Sequence, residues 1–129
     1  MPHFTAIVTL LAVLFYFFLG TRVAVAHGKY GVKLPAVTGH PDFERVYRVQ
    51  MNTLEWAPIF LPLLLLCAIY FNDKAAAVLG LVWVAGRIYY YIGYTQEVEK
   101  RFVGFLIQAL AWGLLLIGAI VGIVRVMLE

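Results

Sequence analysis

Charge is what this chain has least of. Only 13% of its 129 residues are Asp, Glu, Lys or Arg, against 64% hydrophobic, whereas a soluble domain carries about 25% charge. A chain this short has too little interior to hide that much apolar surface, so the surface has to face lipid. The net charge of +3 is scattered, with no Lys/Arg run, which excludes a nucleic-acid groove. Cys67 is the single cysteine. It lies inside LLLLCAIY, can form no intramolecular disulfide, and reads as packing. His3, His27 and His40 share no ligand spacing, so no metal is expected. No Gly-rich phosphate loop follows a strand, and no nucleophile–base pair of hydrolase type occurs. Nothing basic precedes the first apolar run, which is therefore expected to be a span rather than a cleaved signal.

The apolar residues are gathered into four segments that can each cross about 30 Å of hydrocarbon as a helix. They run roughly from 4 to 25, 43 to 71, 75 to 94 and 102 to 128. The breaks between the later spans are short, which makes neighbouring helices antiparallel. The expectation is a single domain over 1–129: an all-α integral membrane protein built as an up-down bundle of four transmembrane helices. The long connection, HGKYGVKLPAVTGHPD from His27 to Asp42, is expected to be loop because it carries three glycines and two prolines. Pro58 and Pro62 should kink the second span and free carbonyls that neighbouring helices must satisfy. Arg22, Lys29, Lys33, Arg45 and Arg48 flank the first loop, and Lys100 and Arg101 the third. The positive-inside rule then puts both loops in the cytoplasm and both termini outside.

The polar residues of the spans are not randomly placed. At about 100° per residue, Arg48, Asn52 and Glu55 fall within roughly 60° of one another, with Arg45 near the same face, while Gln50 points about 200° away. Two opposed polar faces suit a helix that looks into its own bundle on one side and toward a neighbouring subunit on the other. In the third span Arg87, Tyr90, Tyr94 and Arg101 share a stripe of about 60°, provided the helix continues through TQEVEK to Arg101. Plain structural roles exist for each: Arg45 and Arg48 as snorkelling residues, Glu55 as an ion-pair partner of Arg48, and the tyrosines as an aromatic belt. Taken together, cations, a carboxylate, an amide and phenols at one end of two spans suit a small zwitterion bearing carboxylates and an amine.

The stretch GVKLPAVTGHPDFERVYRVQMNTLEWAPIFLPLL, the E-R-V-Y-R-x-Q-x-N-x-x-E core and the later R-x-x-Y-x-x-x-Y with an arginine seven residues on closely resemble a known family. It is that of the membrane-associated proteins in eicosanoid and glutathione metabolism, in particular its type-two microsomal glutathione transferase and leukotriene C4 synthase branch. The resemblance covers most of the chain. It implies a homotrimer with sites between subunits, glutathione as co-substrate, and a hydrophobic electrophile or lipid hydroperoxide as second substrate. It implies a detoxifying transferase, with peroxidase activity; the compact chain itself is equally compatible with a bacterial inner membrane and an endoplasmic reticulum membrane. It also implies glutathione contacts at Arg48, Asn52, Glu55, Trp56, Tyr90 and Tyr94, with Gln50 supplied by the neighbouring subunit. Arg101 would hold the sulfur as thiolate, with the Tyr94 phenol as the competing candidate. The same family contains non-catalytic lipid-binding scaffolds, but these lack the clamping arginines.

Two departures stand out. The leukotriene-synthase branch has two arginines at the end of the first span where this chain reads His27-Gly28-Lys29, which argues against a dedicated leukotriene synthase. Trp56 stands where that branch has a tyrosine, so a phenol hydroxyl is exchanged for an indole donor.

Overall fold

The computed structural model describes all 129 residues. Its helices are α1 (His3–Tyr30), α2 (Pro41–Tyr70), α3 (Asp73–Gln96) and α4 (Phe102–Leu128), with a 3₁₀ turn at Val98–Arg101 leading into α4. Each α-helix is long and apolar enough to cross a membrane. The middle of the bundle is α2 and α3, which pack against each other and against both outer helices, α1 and α4. Large side chains such as Leu10, Phe17, Leu110 and Ile117 remain exposed along the outer faces, as a lipid-facing surface requires.

The core runs through the middle of all four helices. Phe60 of α2 lies flat on Trp83 of α3, ring centroids 3.7 Å apart, and Leu64, Cys67, Ala76, Ala111, Leu115 and Ala119 close around them. α3 and α4 approach at glycine. A Cβ at Gly86 would sit 2.8 Å from the Gln108 backbone nitrogen, and one at Gly104 would sit 2.6 Å from the Tyr90 Cα, so the two backbones meet where no side chain fits. The carbonyl of Ile59, in the turn that Pro62 disrupts, accepts a hydrogen bond of 2.8 Å from the Trp112 indole. Pro62 itself removes the helical donor of the neighbouring Pro58 carbonyl, so the indole ties α4 to α2 beside the proline.

The helix ends explain where the loops begin. α1 has no cap of its own. Instead the Asp73 carboxylate, at the start of α3, accepts from the Phe4 and Thr5 backbone N–H groups at 3.1 and 2.9 Å, satisfying the free N-terminus of α1 from the neighbouring helix. Asn72 caps α3 through the Ala75 N–H, and His40 caps α2 through the Asp42 N–H, ahead of Pro41 in the first turn.

Two expectations are corrected here. The segment from His27 is not all loop: α1 continues through Gly28 to Tyr30 and stops at Gly31, which takes the left-handed conformation at φ 68°. Packing holds that extension, because Val23 and Ala26 are buried with Val32 and Phe43 and His27 Nδ1 bonds the Val32 carbonyl at 2.7 Å. The second correction is that α3 does not continue to Arg101. It ends at Gln96, Glu97 is extended at φ −149° and ψ 143°, and the chain then tightens into the 3₁₀ turn. Its N–H still satisfies the Gly93 carbonyl at 3.0 Å. The reason is tertiary: α4 must reverse at once to lie along α3, and at Gly93 the Lys100 carbonyl folds into the space a Cβ would need.

Candidate functional site

The loop-side end of α2 and α3 carries a cleft of about 470 Å³ lined by Arg48, Asn52, Tyr90, Tyr94 and Arg101. Val98, Phe102 and Phe105 form its apolar side. A second cleft of similar size adjoins it, sharing Arg48, Tyr94 and Val98 and reaching past Arg45 and Tyr47 to Val37 and Thr38 in the first loop. Volumes of this order hold small molecules.

Each helix contributes by its period. On α2, Arg48 and Asn52 are one turn apart and open onto the cleft. On α3, Tyr90 and Tyr94 are likewise one turn apart, with ring centroids separated by 5.4 Å. Arg101 reaches the same cleft by a route the sequence did not suggest. The 3₁₀ turn folds it back to the cleft that Tyr94 also lines, where a continuous helix would have carried it about 10 Å farther along the axis. Its guanidinium is exposed, bonded only to the Val98 carbonyl at 2.8 Å, and no carboxylate pairs with it.

The remaining expected residues stand at different distances from the cleft. Glu55 does not line it but accepts from Arg48 at 2.8 Å, both side chains being about half exposed. Trp56 meets Phe105 and Trp112 edge-on, at 6.2 and 6.0 Å, and so backs the apolar wall. Gln50 is half-buried on the other face of α2, its amide beside Gly20 of α1. Arg45 is committed to Asp42, with a long contact of 3.4 Å to the Thr95 carbonyl.

One residue of the α3 stripe has a larger part than its spacing indicated. Arg87 is fully buried. Its guanidinium donates to Asn52 Oδ1 at 2.8 Å and to Thr53 Oγ1 at 2.7 Å, and it lies 4.3 Å from the Tyr90 ring centroid. No carboxylate neutralises it, although a buried, unpaired cation costs several kcal/mol. The clue available in the sequence was its register with Tyr90 and Tyr94. Its partner on α2 could not be read from α3 alone.

Comparison with known proteins gives the family and relatives that the chain is similar to. The model of the MAPEG family matches residues 5–121. The chain is 51% identical over 118 residues to an uncharacterized protein of Synechocystis, covering 92% of this chain and 86% of that one. It is 39% identical to microsomal glutathione S-transferase 2 of Homo sapiens, over 96% of this chain and 84% of the relative. To leukotriene C4 synthase of Cavia porcellus it is 40% identical, over 92% and 79% respectively.

Proposed function

The chain belongs to the MAPEG family, a multi-pass membrane family, and from that premise we propose that it is a membrane-bound glutathione transferase. It conjugates the glutathione thiolate to lipophilic electrophiles and also reduces lipid hydroperoxides. The observation that carries this reading is the single cleft in which Arg48, Asn52, Tyr90, Tyr94 and Arg101 face Phe102 and Phe105. A polar tripeptide and an apolar electrophile need such neighbouring walls. The names of the relatives, microsomal glutathione S-transferase 2 and leukotriene C4 synthase, support the same assignment.

In this reading Arg48 binds a carboxylate of the tripeptide, and Glu55 takes its ammonium. Asn52 and Tyr90 hold its polar backbone, and Trp56 backs the site. Arg101 is the cation for the sulfur. A thiol with an ordinary pKa of about 8.5 is only about 3% ionised at pH 7, so a fixed guanidinium beside it raises the thiolate fraction. In transfer, the sulfur forms a bond to the electrophilic carbon and the leaving group departs with its electron pair. In peroxide reduction, the thiolate takes the terminal hydroperoxide oxygen and the lipid alkoxide collects a proton. The resulting sulfenic acid then condenses with a second glutathione to give disulfide and water. The working unit is a homotrimer in which Gln50 serves the neighbouring subunit's site, with the first and third loops in the cytoplasm.

Isothermal titration of the detergent-solubilised protein with glutathione, followed by a panel of electrophiles, tests this. Saturable binding, a rise in thiolate ultraviolet absorbance and turnover are expected. A folded protein that takes up lipid but no glutathione would instead be a scaffold.

A further inference from the structure

A guanidinium has donors and no acceptors. Arg87 therefore dictates the polarity of whatever it touches. Thr53 shows the consequence: its hydroxyl accepts from Arg87 at 2.7 Å and gives its own proton to the Val49 carbonyl at 2.8 Å, so its only proton is turned away from the guanidinium. Asn52 is treated the same way. Its Oδ1 is claimed by Arg87 at 2.8 Å, so its amide NH₂ is the end left for the cleft that Asn52 lines. On a third side, the guanidinium lies against the Tyr90 ring, and Tyr90 lines the same cleft.

We infer that Arg87 is a positioning residue: buried behind the cleft, it fixes Asn52 as a hydrogen-bond donor toward the ligand and seats Tyr90 beside it. The ligand atom opposite Asn52 is then a carbonyl or carboxylate oxygen, not an N–H. This explains why the bundle carries an unpaired buried cation where an apolar side chain of similar length would pack with less cost. A carboxylate at position 52 would neutralise Arg87 better than an amide does, yet it would present an acceptor to the cleft.

The inference rests on the glutathione reading for its assay, and four proteins separate the two. Wild type, Asn52→Asp, Arg87→Lys and Arg87→Met are compared in detergent for glutathione Kd, for kcat and KM, and for thermal midpoint. Asn52→Asp is expected to melt at or above the wild-type midpoint and to bind glutathione about 10- to 100-fold more weakly, the scale of a lost charge-assisted contact replaced by repulsion. Arg87→Lys keeps the charge but not the fork that reaches Asn52 and Thr53 together. Its KM for glutathione should rise about 10-fold, with kcat at saturation nearly unchanged, and Arg87→Met should show the same rise. Asn52→Asp binding glutathione like wild type overturns the inference. So do Arg87 variants that melt early while keeping wild-type KM, since that is a purely structural role. A wild-type protein that binds no glutathione overturns the transferase reading and takes the donor role with it. A fifth protein, the Asn52→Asp/Arg87→Met double variant, then tests the Arg87–Asn52 pairing alone: a midpoint lower than the two single changes predict together supports the pairing, and additive midpoints overturn it.

Discussion

Arg48 and Glu55 pair across two turns of α2, Nη1 to Oε1 at 2.8 Å, with both side chains about half exposed at the edge of the cleft. An exposed pair of this kind stabilises a fold by about 0–1 kcal/mol. A charge-assisted contact to a bound ligand is worth about 1.5–3 kcal/mol. The pair therefore contributes little to folding, and in the proposed glutathione reading it keeps the two groups meant for the tripeptide extended and close.

Glu55→Gln should therefore weaken glutathione binding by about 10- to 150-fold while moving the thermal midpoint by only a degree or two. Titration calorimetry and a melting curve on the same preparation check it. Normal affinity with early melting would make Glu55 a structural partner of Arg48.

Arg101→Ala should leave glutathione affinity within a few-fold, because Arg48 and Glu55 remain. The bound thiol should return toward an ordinary pKa of about 8.5, and turnover at pH 7 should fall about 30-fold, the loss of thiolate fraction at that pKa. The sign with pH follows: wild type is active well below 8.5, whereas the variant gains activity as pH rises through 8.5. If Arg101→Ala keeps its low thiol pKa and Tyr94→Phe loses it, the sulfur belongs to the Tyr94 phenol.

Gly104→Ala tests the close approach of α3 and α4 beside the cleft. Alanine improves helix propensity by about 1 kcal/mol, but its Cβ would meet the backbone of Tyr90, with the Cα at 2.6 Å. Backbone cannot rotate away as a side chain can, so the overpacking cost of about 1–3 kcal/mol should win. A lower melting temperature in detergent is expected, together with weaker glutathione binding, because Phe102 and Arg101 would shift against Tyr90 and Tyr94.

Chemical cross-linking in mild detergent should give a ladder that ends at three. Gln50→Ala should lower glutathione affinity in that trimer, even though Gln50 lies on the far face of α2 from Arg48. Full glutathione binding by a strict monomer would remove the shared site.

The four spans were legible because hydropathy and length are local properties, and so was the shared face of Arg48 and Asn52, because one helix period sets it. Gly31 as the stop of α1 was not separable by sequence from Gly28, which lies inside the helix. Only the burial of Val23 and Ala26 against Val32 and Phe43 tells the two glycines apart.

By itself the sequence determined that the chain must sit in lipid, that it crosses four times, and which polar groups each crossing carries. The tertiary structure decided which of those groups meet. Arg101 joins Tyr94 through a folded-back 3₁₀ turn, not through a longer helix, because α4 has to return along α3 where Gly86, Gly93 and Gly104 let backbones touch. Arg87 finds Asn52 and Thr53 only because α2 and α3 are neighbours in the middle of the bundle. Periodicity is a property of one helix. Partnership depends on the depth at which two helices pack, and residues 34 and 35 positions apart in the chain carry no local signal of it.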